Sequence, residues 1–210
     1  MGPTRRLTFL ERRTDATPER FSWHWSTDHA DIARRLPGMT VYEQNHAVRQ
    51  LLPVTASDSS FTVDGIAESW YESAASIVAG VDSAAKRELL IDEPLVFSGL
   101  TGIIVPPYDG PRSPAWKIWL LGSDGFQPDE VTGGLLGVAF AHTAARSEAV
   151  PTMTRDALRR KAGVPDAVTE LHFDTAECAH RAADSLEERL SRDAPEHLLD
   201  ALLTREVRIL

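Results

Sequence analysis

Two periodicities alternate along this chain. RRLTFLERR (5–13) reads as a strand, and Thr17-Pro18-Glu19 then starts a helix, with proline in its first turn and an acid beside it. Phe21, Trp25, His29, Ile32 and Leu36 follow at spacings of 4, 4, 3 and 4, the stripe of a helix with one apolar face. In TVYEQNH (40–46) the period falls to two, with Tyr42, Gln44 and His46 on one face and Val41, Glu43 and Asn45 on the other. VDGIAESWYES (63–73) continues as a third strand, residues 74–90 as an alanine-rich helix, and TGIIVP (101–106) as a fourth strand.

The same order returns after PPYDGPRSP (106–114), whose four prolines and glycine break either periodicity. AWKIWLLGS (115–123) is strand-like, Gln127-Pro128-Asp129 starts a helix, and PDAVTELHFDT (165–175) matches residues 63–73. That match pairs Asp64 with Asp166, Glu68 with Glu170 and Trp70 with His172. Helical residues 176–192 and REVRIL (205–210) close the second half. Each half therefore predicts β-α-β-β-α-β, an α+β ferredoxin-like unit. The expected domains are 1–106, a linker at 107–113 and a degenerate second copy at 114–210. Each sheet has one face without helices, so the two are expected to pack face to face as a barrel within the chain, a pseudo-dimer.

Net charge is −9 and the isoelectric point near 5.2, which lacks the basic footprint nucleic acid requires and would be repelled by anionic lipid. No apolar run approaches a membrane span and no signal peptide is visible. These features predict a soluble cytoplasmic protein. A single cysteine, Cys178, rules out an internal disulfide and reads as an inert thiol among alanines. Gly133-Gly134 is expected to bend a helix, since no phosphate-binding loop surrounds it.

His29 lies mid-stripe. It reads either as a core histidine bonded to a backbone carbonyl, or as a neutral, desolvated imidazole able to move a proton. His46 ends the second strand and offers a partner. Glu68 sits between Ile66 and Trp70, where a carboxylate needs either a salt bridge or a ligand. Strand parity alone does not bring His29, His46 and Glu68 together.

Phe21-x3-Trp25-x3-His29-x7-Pro37-Gly38, then YEQNH, DGIAESWY and Asp92-Glu93 with Phe97, resemble the EthD domain of the dimeric α+β barrel superfamily over residues 5–105. The resemblance implies a pocket between helices and sheet, with His29 as the motif histidine, His46 as the second-strand histidine and Asp92 as the late acid. It also implies chemistry without metal or organic cofactor, as in superfamily isomerases, dehydratases, cyclases and monooxygenases; other branches bind haem. In the second half Ala139 would stand opposite His29 and Arg160 opposite His46, leaving a site only in the first half.

The leading expectation is a cofactor-independent lyase, isomerase or cyclase acting on a small apolar carbonyl, aromatic or polyketide-like ligand. His29 and His46 would be catalytic and line one pocket, with Trp25, Tyr42, Glu68, Trp70 and Asp92 holding the substrate. A non-catalytic ligand-binding protein is the alternative. A haem or metal oxygenase ranks last, because no tight ligand spacing supports it. Pairing of two chains into a homodimer is a further expectation beside the pseudo-dimer within the chain.

Overall fold

The computed structural model describes residues 2–52, 63–107, 115–147, 158 and 164–210. The first half contains β1 (Thr4–Arg12), α1 (Pro18–His24), a π-helical turn (Trp25–His29), α2 (Ala30–Ala33), β2 (Met39–Gln50) and β3 (Gly65–Tyr71). It continues through α3 (Ala74–Ala79), a 3-10 turn (Gly80–Asp82), α4 (Ala84–Val96) and β4 (Phe97–Val105). The second contains β5 (Trp116–Gly122), α5 (Asp129–Thr132), β6 (Phe140–Ala145), β7 (Ala167–Phe173), α6 (Ala176–Arg192) and β8 (Leu198–Arg208). Thr17, Ser73, Ser83 and Thr175 each cap a helix by accepting a hydrogen bond from a first-turn N–H.

The eight strands form one sheet in the order β4-β1-β3-β2-β8-β5-β7-β6, with every pairing antiparallel. Two separate stacked sheets, as expected from the sequence, do not form. Instead β2 and β8 pair from Glu43↔Arg208 to Gln50↔Leu202, which satisfies two strand edges that would otherwise be open. The sheet curls until its ends meet, and the N–H of Ser147, just beyond β6, donates to the carbonyl of Ile104 in β4 at 2.8 Å.

Alternation then sorts side chains into three cores. Phe21, Trp25, Tyr42, Ala67, Leu89 and Phe97 pack between the first helices and the sheet. Ile118, Leu120, Leu171, Phe173, Ala183 and Leu186 pack beneath α6. Leu7, Phe9, Ile66, Trp119, Val168 and Leu202 meet inside the curl.

The second half departs from its expected course. The helix starting at Pro128 ends at Thr132, and Gly134 and Gly137 follow at φ +75° and +80°, a left-handed backbone that glycine adopts without strain. Ala139 is therefore not helical; its N–H donates to the carbonyl of His172 immediately before β6. Arg160 and VPTMT (150–154) lie outside the described residues, as do linker residues 108–113. In β6 it is Ala145 that pairs with Ala167, as His46 pairs with Gly65 in the first half.

Candidate functional site

The first helix winds more loosely at Trp25–His29. Ser26 Oγ donates to the carbonyl of Ser22 at 2.8 Å and Thr27 Oγ1 to that of Trp23 at 2.7 Å, back-bonds that compete with the main-chain ladder and accompany a π-helical turn. In a regular α-helix His24 and His29 would point roughly 140° apart. The wider turn brings both to one side, where α4 presents Asp92. His24 Nε2 lies 2.7 Å from Asp92 Oδ1, and His29 Nδ1 lies 2.8 Å from Oδ2.

Burial pushes the Asp92 carboxyl up, but hydrogen bonds from His29 and His24 outweigh it and leave the group below its ordinary value. An ionised carboxylate only accepts, so each histidine directs an N–H at it. This fixes the tautomers. His24 keeps Nδ1 outward, 3.9 Å from Asp28 and beyond hydrogen-bonding distance. His29 is buried, its ring edge-on to Phe97 at 5.1 Å between centroids. Beside His24 opens a cleft of about 350 Å³, bordered by Arg13, Asp15, Ala16, Arg20, Phe21, Leu95 and Val96.

Trp25, Tyr42 and His46 form a second group on the same sheet face. Trp25 Nε1 donates to Tyr42 Oη at 3.2 Å, and Gln44 Nε2 donates to Tyr42 Oη and to the carbonyl of Trp25. Burial raises the Tyr42 hydroxyl to about 12. The His46 ring lies tilted against Trp25 at 4.4 Å between centroids and is bonded at both nitrogens, Nδ1 with Ser22 Oγ at 2.8 Å and Nε2 with Gln44 Oε1 at 3.1 Å. Burial, helped by Arg205, lowers it to about 4, so it is neutral near pH 7. His29 and His46 thus belong to different hydrogen-bonded sets, and neither borders the cleft.

Trp25 fits because residue 65 is glycine. A Cβ there would lie 2.5 Å from Trp25 Cζ3 and 2.8 Å from Cη2, a clash with a fully buried ring. Gly65→Ala is expected to lower unfolding free energy by about 1–3 kcal/mol and to shift Trp25 fluorescence. Urea melts with emission spectra check this.

Glu68 and Trp70 lie on the other face of the sheet, inside the curl. Glu68 pairs there with Arg5 and Lys117 and accepts from Asn45 Nδ2 at 2.9 Å. Arg5 also reaches Glu170, 2.7 Å away, and lies 5.5 Å over the Trp70 ring. Burial opposes ionisation of Glu68, but the charges of Lys117 and Arg5 hold it below the ordinary carboxylate range. Glu43, Glu68 and Glu206 have carboxylate oxygens within 4.8 Å of one another, a spacing that could hold a metal ion. Lys117 Nζ lies 2.9 Å from Glu206 and 3.9 Å from Glu43 and pairs with Glu68, so its ammonium already serves as their cation.

Burial, with Glu68 and Glu206 nearby, raises Glu43 to about 7. Its folded form therefore keeps a proton that the unfolded chain gives up near 4.5, and stability is lost as pH rises from 4.5 to 7. His46 acts in the opposite sense. The unfolded chain gains a proton below 6.5 that the folded chain refuses until about 4, so stability is lost as pH falls across that range. Each slope reaches at most about 1.4 kcal/mol per pH unit. Relative to the parent, Glu43→Gln should lose stability more steeply on acidification from 6.5, and His46→Asn more steeply on raising the pH from 4.5. Urea melts at pH intervals test both signs.

Sequence reading set His29, His46, Trp25, Tyr42, Glu68, Trp70 and Asp92 around one pocket; the structure divides them between two hydrogen-bonded sets and the inside of the curl, and adds His24, which an α-helical period assigns to another face. The back-bonding Ser26-Thr27 pair was the available signal. Among the described residues no helix is long and apolar enough to cross a membrane.

Residues 13–99 match the model of the EthD domain. No curated protein matches the sequence. Among solved structures the chain is similar to an anthrone oxidase-like protein, at 9% identity and TM-score 0.54, over 99% of this chain and 93% of that one. It is also similar to a protein named as a candidate chlorite dismutase, at 12% identity and TM-score 0.52, over 100% and 96%. An EthD family protein from Bacillus halodurans aligns at 16% identity and TM-score 0.38, over 50% of this chain and 99% of that one. For the first two, at these identities, the likeness is one of fold, an α+β architecture around a curled antiparallel sheet.

Proposed function

We propose, from the EthD domain that residues 13–99 form, that this chain binds a small, largely apolar compound beside its first helix and moves a proton on it. The observation that carries the reading is Asp92, held by two histidines of which one, His24, borders the cleft. An ionised carboxylate behind an imidazole fixes its tautomer and stabilises the imidazolium formed when the ring takes a proton. His24 Nδ1 is then the group that removes a proton from a carbon next to a carbonyl and returns it to the same or another atom. His29 positions Asp92 from its buried side. Phe21, Leu95 and Val96 supply apolar walls, and burial keeps His46 neutral while Trp25, Tyr42 and Gln44 brace the helix. Isomerisation, dehydration and cyclisation share this proton step.

Iron ligation through His46 does not fit its contacts, because both ring nitrogens are hydrogen-bonded and the ring lies on Trp25. His29 is walled by Phe97, away from the cleft.

The domain division belongs to the same proposal: 1–106 and 114–210 are two ferredoxin-like units joined by 107–113. Strand orders β4-β1-β3-β2 and β8-β5-β7-β6 repeat one topology and support it. So does register, since Glu68 faces Leu7 across β1 as Glu170 faces Trp119 across β5. Among the described residues the second unit has no counterpart of the proton-transfer set, because α5 is one short turn.

The test is hydrogen–deuterium exchange at carbon. A panel of aromatic ketones, lactones and β-keto acids in D2O, followed by NMR, should include compounds whose exchange the protein accelerates and His24→Gln does not. Acceleration equal in His24→Gln would overturn the assignment. Saturable binding with no accelerated exchange across the panel would favour a ligand-binding role.

A further inference from the structure

The cleft beside His24 carries charge as well as apolar wall. Arg13 and Asp15 neutralise one another in a two-pronged pair, Nε to Oδ1 and Nη2 to Oδ2, both at 2.8 Å. Arg13 Nη1 is also committed, donating to the carbonyl of Pro94 at 3.0 Å. Arg20 also borders the cleft; its side chain is exposed, makes no hydrogen bond or salt bridge among the described residues, and its charge reaches Asp15. With Arg13 and Asp15 cancelled, the lip of the cleft carries the charge of Arg20. Leu95, 62% exposed, contributes apolar surface that a bound molecule would cover.

Arg20 and His24 are four apart on α1, one above the other on one helix face. Their Cβ atoms are therefore one turn, roughly 5–6 Å, apart, and a molecule in the cleft can meet both side chains. We propose that the cleft takes an aromatic or otherwise apolar carboxylic acid, its carboxylate anchored by Arg20 and its body laid across Phe21, Leu95 and Val96 toward His24. The inference rests on the proton-transfer reading and narrows its substrate class. A planar guanidinium suits this task, since it presents paired N–H groups to a carboxylate. A neutral compound of the same shape gains only the apolar contact, so the cleft selects acids over their amides.

Benzoate and benzamide are the probes, being alike in shape and different in charge. Each is titrated into the full-length 15N-labelled protein, following backbone amides of residues 15–24 and the His24 ring, for the parent, Arg20→Gln, Arg20→Lys, His24→Gln and the remote control Arg181→Gln. Benzoate should bind more tightly than benzamide and lose about tenfold in affinity in Arg20→Gln. Arg20→Lys should recover part of that loss, and Arg181→Gln should match the parent. Benzamide should be indifferent to residue 20. Absence of benzoate binding, equal affinity for the two probes, or unchanged benzoate affinity in Arg20→Gln overturns the proposal. His24→Gln separates the two readings: it should retain benzoate binding, because the anchor is Arg20, while abolishing carbon–deuterium exchange. Retained exchange in His24→Gln with Arg20-dependent benzoate binding would remove the proton-transfer reading alone and leave the anion site standing.

Discussion

Replacing Arg5 with methionine is expected to lower unfolding free energy by about 3–5 kcal/mol, the largest stability effect of any substitution considered for this chain. Arg5 is fully buried inside the curled sheet and pairs with Glu68 and Glu170, one from each half. Methionine fills most of its volume but leaves Glu170 without its closest cation and Glu68 with Lys117 alone. A buried carboxylate must then stay charged in a poor solvent or take up a proton, and either outcome costs stability. The urea midpoint should fall at unchanged m-value, the signature of altered stability rather than altered compactness. Arg5→Met combined with Glu170→Gln should lose less than the two single changes added together, because the neutral amide no longer needs the cation. A loss below about 1 kcal/mol in Arg5→Met would mean that water reaches this pair and that the two halves are not locked by charge.

The second large effect is on chemistry. Asp92→Asn is expected to cut proton transfer by about 10²–10⁴-fold, the range over which a positioned acid–base group contributes. The amide is nearly isosteric but uncharged, and it presents an N–H to one of two histidines that each need an acceptor. One imidazole must then turn or switch tautomer. If that ring is His24, its Nδ1 acquires a proton and ceases to be a base. Stability should change far less than activity, since Asp92 sits at the edge of the core and its partner His24 is part-exposed. Carbon–deuterium exchange beside a urea melt separates the two effects. A melt that collapses in proportion to the activity would make Asp92 a structural residue.

Much of this arrangement was legible in the sequence because it follows local periodicity. The stripe from Phe21 to Leu36 put Trp25 and His29 inside, and alternation in residues 40–46 put Tyr42, Gln44 and His46 on one face. The glycine at 65 in the third strand leaves the space that Trp25 fills. What stayed hidden depends on departures from local period or on distant pairings. His24 joins His29 only because the helix opens into a π turn, which a period of 3.6 does not anticipate. Glu68 wanted a partner, but its partners Arg5 and Lys117 are 63 and 49 residues away, brought in by strand pairing. In the second half, setting Arg160 opposite His46 pointed the second strand past residue 150, whereas helix termination at Gly133 sends β6 out at Phe140.

The shared carboxylate is the centre of the account, and the tautomers of its two histidines report on it without any knowledge of the substrate. Long-range 1H–15N correlation spectra of the histidine rings at neutral pH should show His24 with its proton on Nε2 and His29 with its proton on Nδ1, neither averaging. At least one of those patterns should be lost in Asp92→Asn. His24 carrying its proton on Nδ1 instead, or both rings exchanging freely between tautomers in the parent protein, would contradict a carboxylate that holds His24 ready as a base.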